Sequence, residues 1–491
     1  MFADARLVTA AALLIQVTGF AKTLLIAHLF GASAELDGYY LALVAPSLIV
    51  GVVGGSLQGS FVTAYVRLLK QDDHQRASEL VSQLSTLLIL LLGLLSILLW
   101  LGAEPLMALL VLTQDTVLLE STTSAFRIVV FILLLNSVAD YLALVLNSHK
   151  HFSLGAFSPL CNVLLSTGIL ALWSNGGQDA LSYGLIAGAA LQVGLLLAGL
   201  KRSGIRLSIS WPRLSGPLRS VLASAATMAL GILFANLNLA VDQMMASLLG
   251  QGAVSIIGYA NRFNGLIVQL LVVGMGTVLL PHLAEISAVG RKTEIRAIYA
   301  RIASPLAGAS AIAAIVVLLA SAPALAMLLG HGALSRFDIQ SIATIWFWYT
   351  VGLLPMAWGI FLARYFQATG NLAFITRLAA VSVVANIVIN LLLIRPFGLA
   401  GLAISTSLVY LLTALVYHRR FAAETGLRLG REGLLISGLG LTVCAFLIWA
   451  FPAAIENGNW TLTTCGVALS VACIFAARPS RLFSQAHTEH D

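Results

Sequence analysis

Residues 17–48 read VTGFAKTLLIAHLFGASAELDGYYLALVAPSL. Two long apolar runs meet at Gly31, with Lys22 stranded inside the first and Asp37 opening the second. A bilayer core about 30 Å thick takes roughly 20 apolar residues per helix. Either run is long enough to cross it, and the turn at Ala32–Leu36 is only long enough to reverse the chain. Working outward, the same reading gives spans near 7–31, 39–66, 80–101, 125–147, 153–173, 181–200, 220–248, 254–283, 302–320, 339–363, 378–394, 397–417, 433–451 and 459–477. The apolar pieces 105–113 and 322–330 are too short to span and are expected to be interfacial or re-entrant. The first run lacks an A-x-A-like cleavage site and is read as a retained helix.

The rest of the composition agrees. The 491 residues are 59% hydrophobic and 10% charged, with mean hydropathy +0.96. An aqueous fold must clothe its surface in polar groups and has no use for so much apolar residue. The runs are continuous rather than alternating, which excludes a barrel. The sequence therefore predicts an all-α polytopic membrane protein of about 14 transmembrane helices. Cys161, Cys444, Cys465 and Cys473 lie inside apolar spans, spaced for neither metal nor disulfide.

Charge sets the orientation. Of the 27 Lys and Arg residues, 22 fall at the N-terminus, in loops after even-numbered spans or in the tail. The opposite loops carry only Arg336 and Arg395. The positive-inside rule then puts both termini in the cytoplasm, as expected for a bacterial inner membrane protein. The net charge of +7 is this topology signal and implies no nucleic acid.

The longest cytoplasmic connection, Lys201–Arg219, divides the chain. We read an N-lobe over 1–200 (spans 1–6), a linker over 201–219 and a C-lobe over 220–417 (spans 7–12). Two extra helices follow over 418–477, then a tail over 478–491. An offset of 219 pairs Ala27 with Ala246, Gly31 with Gly250, Ala34 with Ala253 and Tyr40 with Tyr259. Six spans separate the copies, so the repeat is parallel, with an axis along the membrane normal.

The charges left inside spans carry the functional expectation. An ammonium held where Lys22 sits costs about 3 kcal/mol even on conservative scales, unless water or a partner meets it. Arg262 lies well inside span 8 beside Asn261, and an ion pair with Asp242 is its structural alternative. Two basic groups facing one cavity would bind an anion, the guanidinium gripping phosphate oxygens bidentately. Asp242 lies mid-span, and Asn386 and Asn390 share a helical face at i, i+4. With Ser405 and Thr406 on span 12 they suit a monovalent cation such as Na⁺, or else form a hydrogen-bond cluster. Asp140 is expected in a structural polar contact, Asp37 as a helix cap and Arg127 snorkelling outward. Gly51, Gly54, Gly55 and Gly59 would let helices pack closely.

The stretch 17–48, LNSHKHFSLGAFSPLCN at 146–162 and SIIGYANRFNGLIVQLLVVGMGTVLLPHLAE at 255–285 together resemble the MurJ (MviN) family of bacterial lipid II flippases. That family is a branch of the multidrug/oligosaccharidyl-lipid/polysaccharide exporter superfamily. The resemblance covers spans 1–12. It implies two six-helix lobes and two C-terminal helices beside a groove for the lipid tail. It also implies a central cationic cavity for the substrate diphosphate. Lys22 falls where the family usually has arginine, Arg262 on the arginine of span 8 and Asp37 on the acid opening span 2. The family's Na⁺ site falls on Asp242, Asn386, Asn390, the Leu402 carbonyl and Thr406. Departures thin the charge: Gln16 stands at another arginine position, Thr23 at an acid, and Val50 and Gly55 at an arginine and a glutamate. Gln16, Asn261 and Asp37 complete the expected substrate-binding set with Lys22 and Arg262.

The leading expectation is a flippase for an undecaprenyl-diphosphate-linked saccharide, lipid II or a related envelope glycan precursor, working beside cell-envelope biosynthesis proteins. No G-x-x-x-x-G-K-[ST] loop is present, so an ion gradient or the membrane potential would drive it. A cation-coupled drug antiporter of the same superfamily would want an acidic cavity. An integral membrane glycosyltransferase or polymerase would want acids gathered in outer loops, where Glu35, Glu104, Asp115, Glu120, Asp179, Asp338 and Glu456 are scattered. A scaffold that kept the fold and lost transport is the remaining alternative.

Overall fold

The computed structural model describes residues 2–269 apart from 150, 206, 207, 209, 214 and 215, then 283, 285–287 and 291–426. Among them every regular element is helical. The order is α1 (Phe2–Phe30), α2 (Ala34–Lys70), α3 (His74–Leu101), α4 (Ala103–Leu110), α5 (Thr116–Val129), α6 (Ile132–Ser148), α7 (Phe152–Leu172) and α8 (Gly177–Arg202). There follow α9 (Gly216–Ala246), α10 (Ala253–Val268), α11 (Lys292–Leu329), α12 (Arg336–Val351), α13 (Leu353–Ala368) and α14 (Leu372–Thr425). Nine helical runs among the described residues are long and apolar enough to cross a membrane. The longest, α14, is two expected spans joined: Gly398 breaks it with φ 54° and ψ −132°, just after Pro396. Only glycine adopts that conformation without strain, so the break falls where the sequence places it.

The expected boundaries need three corrections. Residues 322–330 are no separate piece, since α11 runs unbroken through Pro323 to Leu329. The span expected at 125–147 starts earlier and is built from α5 and α6, and that at 339–363 from α12 and α13 with Gly352 between them. Local breaks of this kind leave hydropathy unchanged, so hydropathy cannot reveal them. The spans expected at 433–451 and 459–477 lie outside the described residues, as do Cys444, Cys465 and Cys473.

The described residues form two compact units: those within 2–262, 325–342 and 376–402 in one, and those within 263–324, 343–375 and 403–426 in the other. In the first, a core of Phe61, Tyr65, Leu84, Tyr141, Leu142 and Val145 knits α2, α3 and α6 together. Phe61 stacks on Tyr65 and meets Tyr141 edge-on, each at 5.0 Å between centroids, and the Tyr141 hydroxyl donates to the Val81 carbonyl. In the second unit Tyr365 packs edge-on against Phe421 at 4.9 Å, and Ser407 donates to the Trp348 carbonyl.

Two helix pairs of the first unit position the buried polar groups. Helix α2 turns Gly51, Gly55 and Gly59 toward Asn236, Ile232 and Met228 of α9. Both series step by four residues in opposite directions, so ridges of antiparallel helices interlock where the glycines let them approach. Helix α9 also runs parallel to the first part of α14. Gly231 faces Thr376, Asn238 donates to Ser382, and Asp242 meets Asn386. Spans 2 and 7 should run oppositely and spans 7 and 11 alike, and they do. The 219-residue offset has a backbone counterpart. Gly31 (φ 57°) and Gly250 (φ 97°) each end a helical run three residues before the next helix begins, at Ala34 and Ala253.

Candidate anion and cation sites

Lys22 and Gly19 lie three residues apart on α1 and so share one face. The Arg262 guanidinium rests against that face at Gly19, so closely that a side chain there would collide with its Nη2. Lys22 Nζ donates to Ser166 Oγ of α7 at 2.8 Å. Among the described residues neither cation has an ion pair. The structure thus brings together the two basic groups that the sequence singles out, and the alternative Arg262–Asp242 pair is not formed. Two cations side by side at this depth repel each other and favour any anion that enters. Gln16, on α1, and Asn261, beside Arg262, are both half-buried, with no hydrogen bond among the described residues.

Asp37 is tied into hydrogen bonds within the protein. It is fully buried, and its carboxylate accepts from the backbone N–H groups of Gly252 and Ser255 at 2.6 and 2.7 Å and from the Ser255 hydroxyl. It caps the N-terminus of α10, not of its own helix, whose cap is Ser33. Tyr259 of α10 returns the contact by donating to the Gly31 carbonyl at 2.9 Å. The turn 31–37 and the segment 252–259 therefore hold each other.

The Asp242 cluster is dry. Asp242 is 2% exposed and Asn386 and Asn390 are 0%. Asn390 Nδ2 donates to Asp242 Oδ1 at 2.8 Å and Asn386 Nδ2 to the same oxygen at 3.2 Å. Asn390 Oδ1 is buried with no hydrogen-bond partner among the described residues. A carboxylate and two amides, one of them with an orphaned oxygen, fit a small monovalent cation, which would draw the amide oxygens inward. Leu402, in the same unit, is fully buried. Thr406 is buried in the second unit. No group of three His, Cys, Asp or Glu suited to a metal occurs among the described residues. Arg127 pairs with Glu104 at 2.7 Å in an exposed position, as outward snorkelling requires.

The sequence reading left some polar groups unremarked. Ser382 extends the Asn386/Asn390 series one turn back, a four-residue periodicity visible in the sequence. Asn136 and Asp140 on α6 share a face at the same spacing, as do Asn162 and Ser166 on α7. Asp140, expected in a structural pair or polar contact, lines a cavity with Lys22 and has no ion pair among the described residues.

Comparison with known proteins agrees with this geometry. The family model described as lipid II flippase MurJ matches residues 26–465. A lipid II flippase MurJ of Burkholderia cenocepacia is 30% identical over 413 residues, which are 80% of this chain and 78% of that protein. A probable lipid II flippase MurJ of Bdellovibrio bacteriovorus is 27% identical over 82% and 78% of the two chains. The fold matches a lipid II flippase MurJ in an inward closed conformation, with TM-score 0.75, 19% identity and coverage of 98% and 99%. It also matches an inward-facing MATE family multidrug transporter, with TM-score 0.72, 13% identity and coverage of 84% and 96%. With the family model spanning most of its length, the chain belongs to the lipid II flippase MurJ family.

Proposed function

We propose that this protein flips an undecaprenyl-diphosphate-linked saccharide, lipid II or a close relative, from the inner to the outer leaflet of the bacterial inner membrane by alternating access. It is a transporter and not an enzyme. One observation carries the reading: the Arg262 guanidinium of α10 rests against the face of α1 that carries Lys22, and neither has an ion pair among the described residues. A diphosphate supplies the missing anion, with Arg262 gripping two oxygens and Lys22 adding a point charge. Gln16 and Asn261 are half-buried polar groups on the same two helices and would complete the headgroup contacts. A cationic drug would be repelled by such a pair.

Na⁺ bound among Asp242, Asn386 and Asn390 would bias the equilibrium between inward and outward states. A bound ion acts only through its different affinity for those states. Both termini would lie in the cytoplasm, with 1–200 and 220–417 forming the moving lobes. Complementation of a strain depleted of its lipid II flippase tests the whole reading. Rescue assigns lipid II. Failure to rescue, with loss of a surface polysaccharide in a deletion strain, assigns another lipid-linked glycan. Failure in both refutes the flippase.

A further inference from the structure

Lys22 belongs to two arrangements at once. Besides its place beside Arg262, it lines a cavity of about 300 Å³ with Asn136, Asp140, Asn162, Ser166 and Gln192. Four helices, α1, α6, α7 and α8, supply these groups, all within the first unit. A volume of this size is at the small end of ligand sites (roughly 300–1,000 Å³), sized for a single ring.

The hydrogen-bonding inventory is unbalanced. Asn162 Nδ2 donates to Gln192 Oε1 at 2.9 Å, and Lys22 donates to Ser166. Asn136 Oδ1 is buried with no partner. The Asp140 carboxylate, one turn away on α6, has no hydrogen bond or ion pair among the described residues. Its Oδ2 rests against bare backbone at Gly54, 3.1 Å from where a Cβ would stand. Asn136 Oδ1 and the Asp140 carboxylate thus have no donor among the described residues. Asn136 Oδ1 is shut off from solvent and the exposed Asp140 carboxylate opens toward the cavity, so a ligand with hydroxyl or amide donors would satisfy the first and replace water at the second. A free cation would meet the Lys22 ammonium in the same space. A neutral polyhydroxyl ring would give donors to Asn136 and Asp140 and acceptors to Lys22, and lay its C–H face on Val163 and Leu185.

We propose that this cavity is the subsite for the sugar ring attached directly to the diphosphate, with Asn136 and Asp140 reading its hydroxyl or acetamido donors. The proposal rests on the diphosphate reading of Lys22 and Arg262: since Lys22 is common to both, whatever fills the cavity is the group next to the phosphates.

The test measures binding of three lipids to the purified full-length protein in nanodiscs: undecaprenyl diphosphate bare, bearing one hexose, and bearing one N-acetylhexosamine. At least one sugar-bearing lipid should bind about tenfold more tightly than the bare one, and Asn136→Ser and Asp140→Asn should each bring that ratio close to one. Two different variants are read so that poor folding of one does not decide. Equal binding of all three lipids by the native protein overturns the subsite, as does a ratio that survives in both variants. Lys22→Ala should weaken all three lipids together. If it weakens none, or if no lipid binds, the diphosphate reading itself falls and the subsite with it.

Discussion

Lys22 has one hydrogen bond and a second cation for a neighbour, so its charge is free for an incoming anion. Lys22→Ala and Arg262→Ala should each reduce transport on the order of 30–100-fold, the loss of one charge-assisted contact, while leaving the amount of protein in the membrane unchanged. Lys22→Arg should retain transport, since a cation at that place is the requirement. Flipping of a fluorescent lipid-linked substrate in proteoliposomes measures both. Loss of protein from the membrane in Lys22→Ala would instead make the lysine structural. The two cations were legible in the sequence because a charge inside an apolar run stands out against its neighbours. The groups around them were not. Asn136, Asn162 and Gln192 carry no charge and sit on three different helices, α6, α7 and α8, so only the tertiary contacts show that they meet. Asp37 was legible as a cap but not as the cap of another helix, because that depends on a tertiary approach more than 200 residues along the chain.

At the scale of elements, the first turn of α10 depends on a carboxylate from α2. Asp37→Ala leaves two buried N–H groups without acceptors and should lower stability on the order of 3 kcal/mol, read as a lower melting temperature in detergent. An unchanged melting temperature would mean that water already serves those donors. The glycine ridge of α2 sets how closely α9 can lie. A Cβ on Gly55 would stand 3.0 Å from Ile232 Cδ1, and one on Gly59 would stand 2.7 Å from Met228 Cε. Gly55→Leu should force the pair apart at a cost of about 1–3 kcal/mol, and Ile232→Ala should relieve part of it in the double variant. Thermal stability of the two single variants and the double closes that cycle. The number, order and direction of most helices were legible, because membrane-length apolar runs leave the chain few alternatives. The breaks at Val130–Phe131 and Gly352 were not, since both neighbouring helices stay apolar across them.

At the scale of the whole molecule, orientation and ion coupling can be tested. In a background with the four cysteines replaced by serine, Gly176→Cys should react with an impermeant thiol reagent in intact cells and Gly204→Cys should be protected. The reverse pattern would invert the transport direction. For coupling, spin-label pairs across the two lobes should give different distance distributions in Na⁺ and in K⁺, and Asp242→Asn should erase the difference. Identical distributions in both salts would leave the Asp242 cluster as a structural knot and protons or the membrane potential as the driving force. The mutual hold between the turn 31–37 and the segment 252–259 has one more consequence. Should those segments part, the Asp37 carboxylate and the amides of Gly252 and Ser255 would lose their partners together, and only water could replace them all. Separation there is therefore a wetting event, and the Ser255 amide, sheltered while the hold lasts, would exchange its hydrogen for deuterium only as often as that end of the molecule opens.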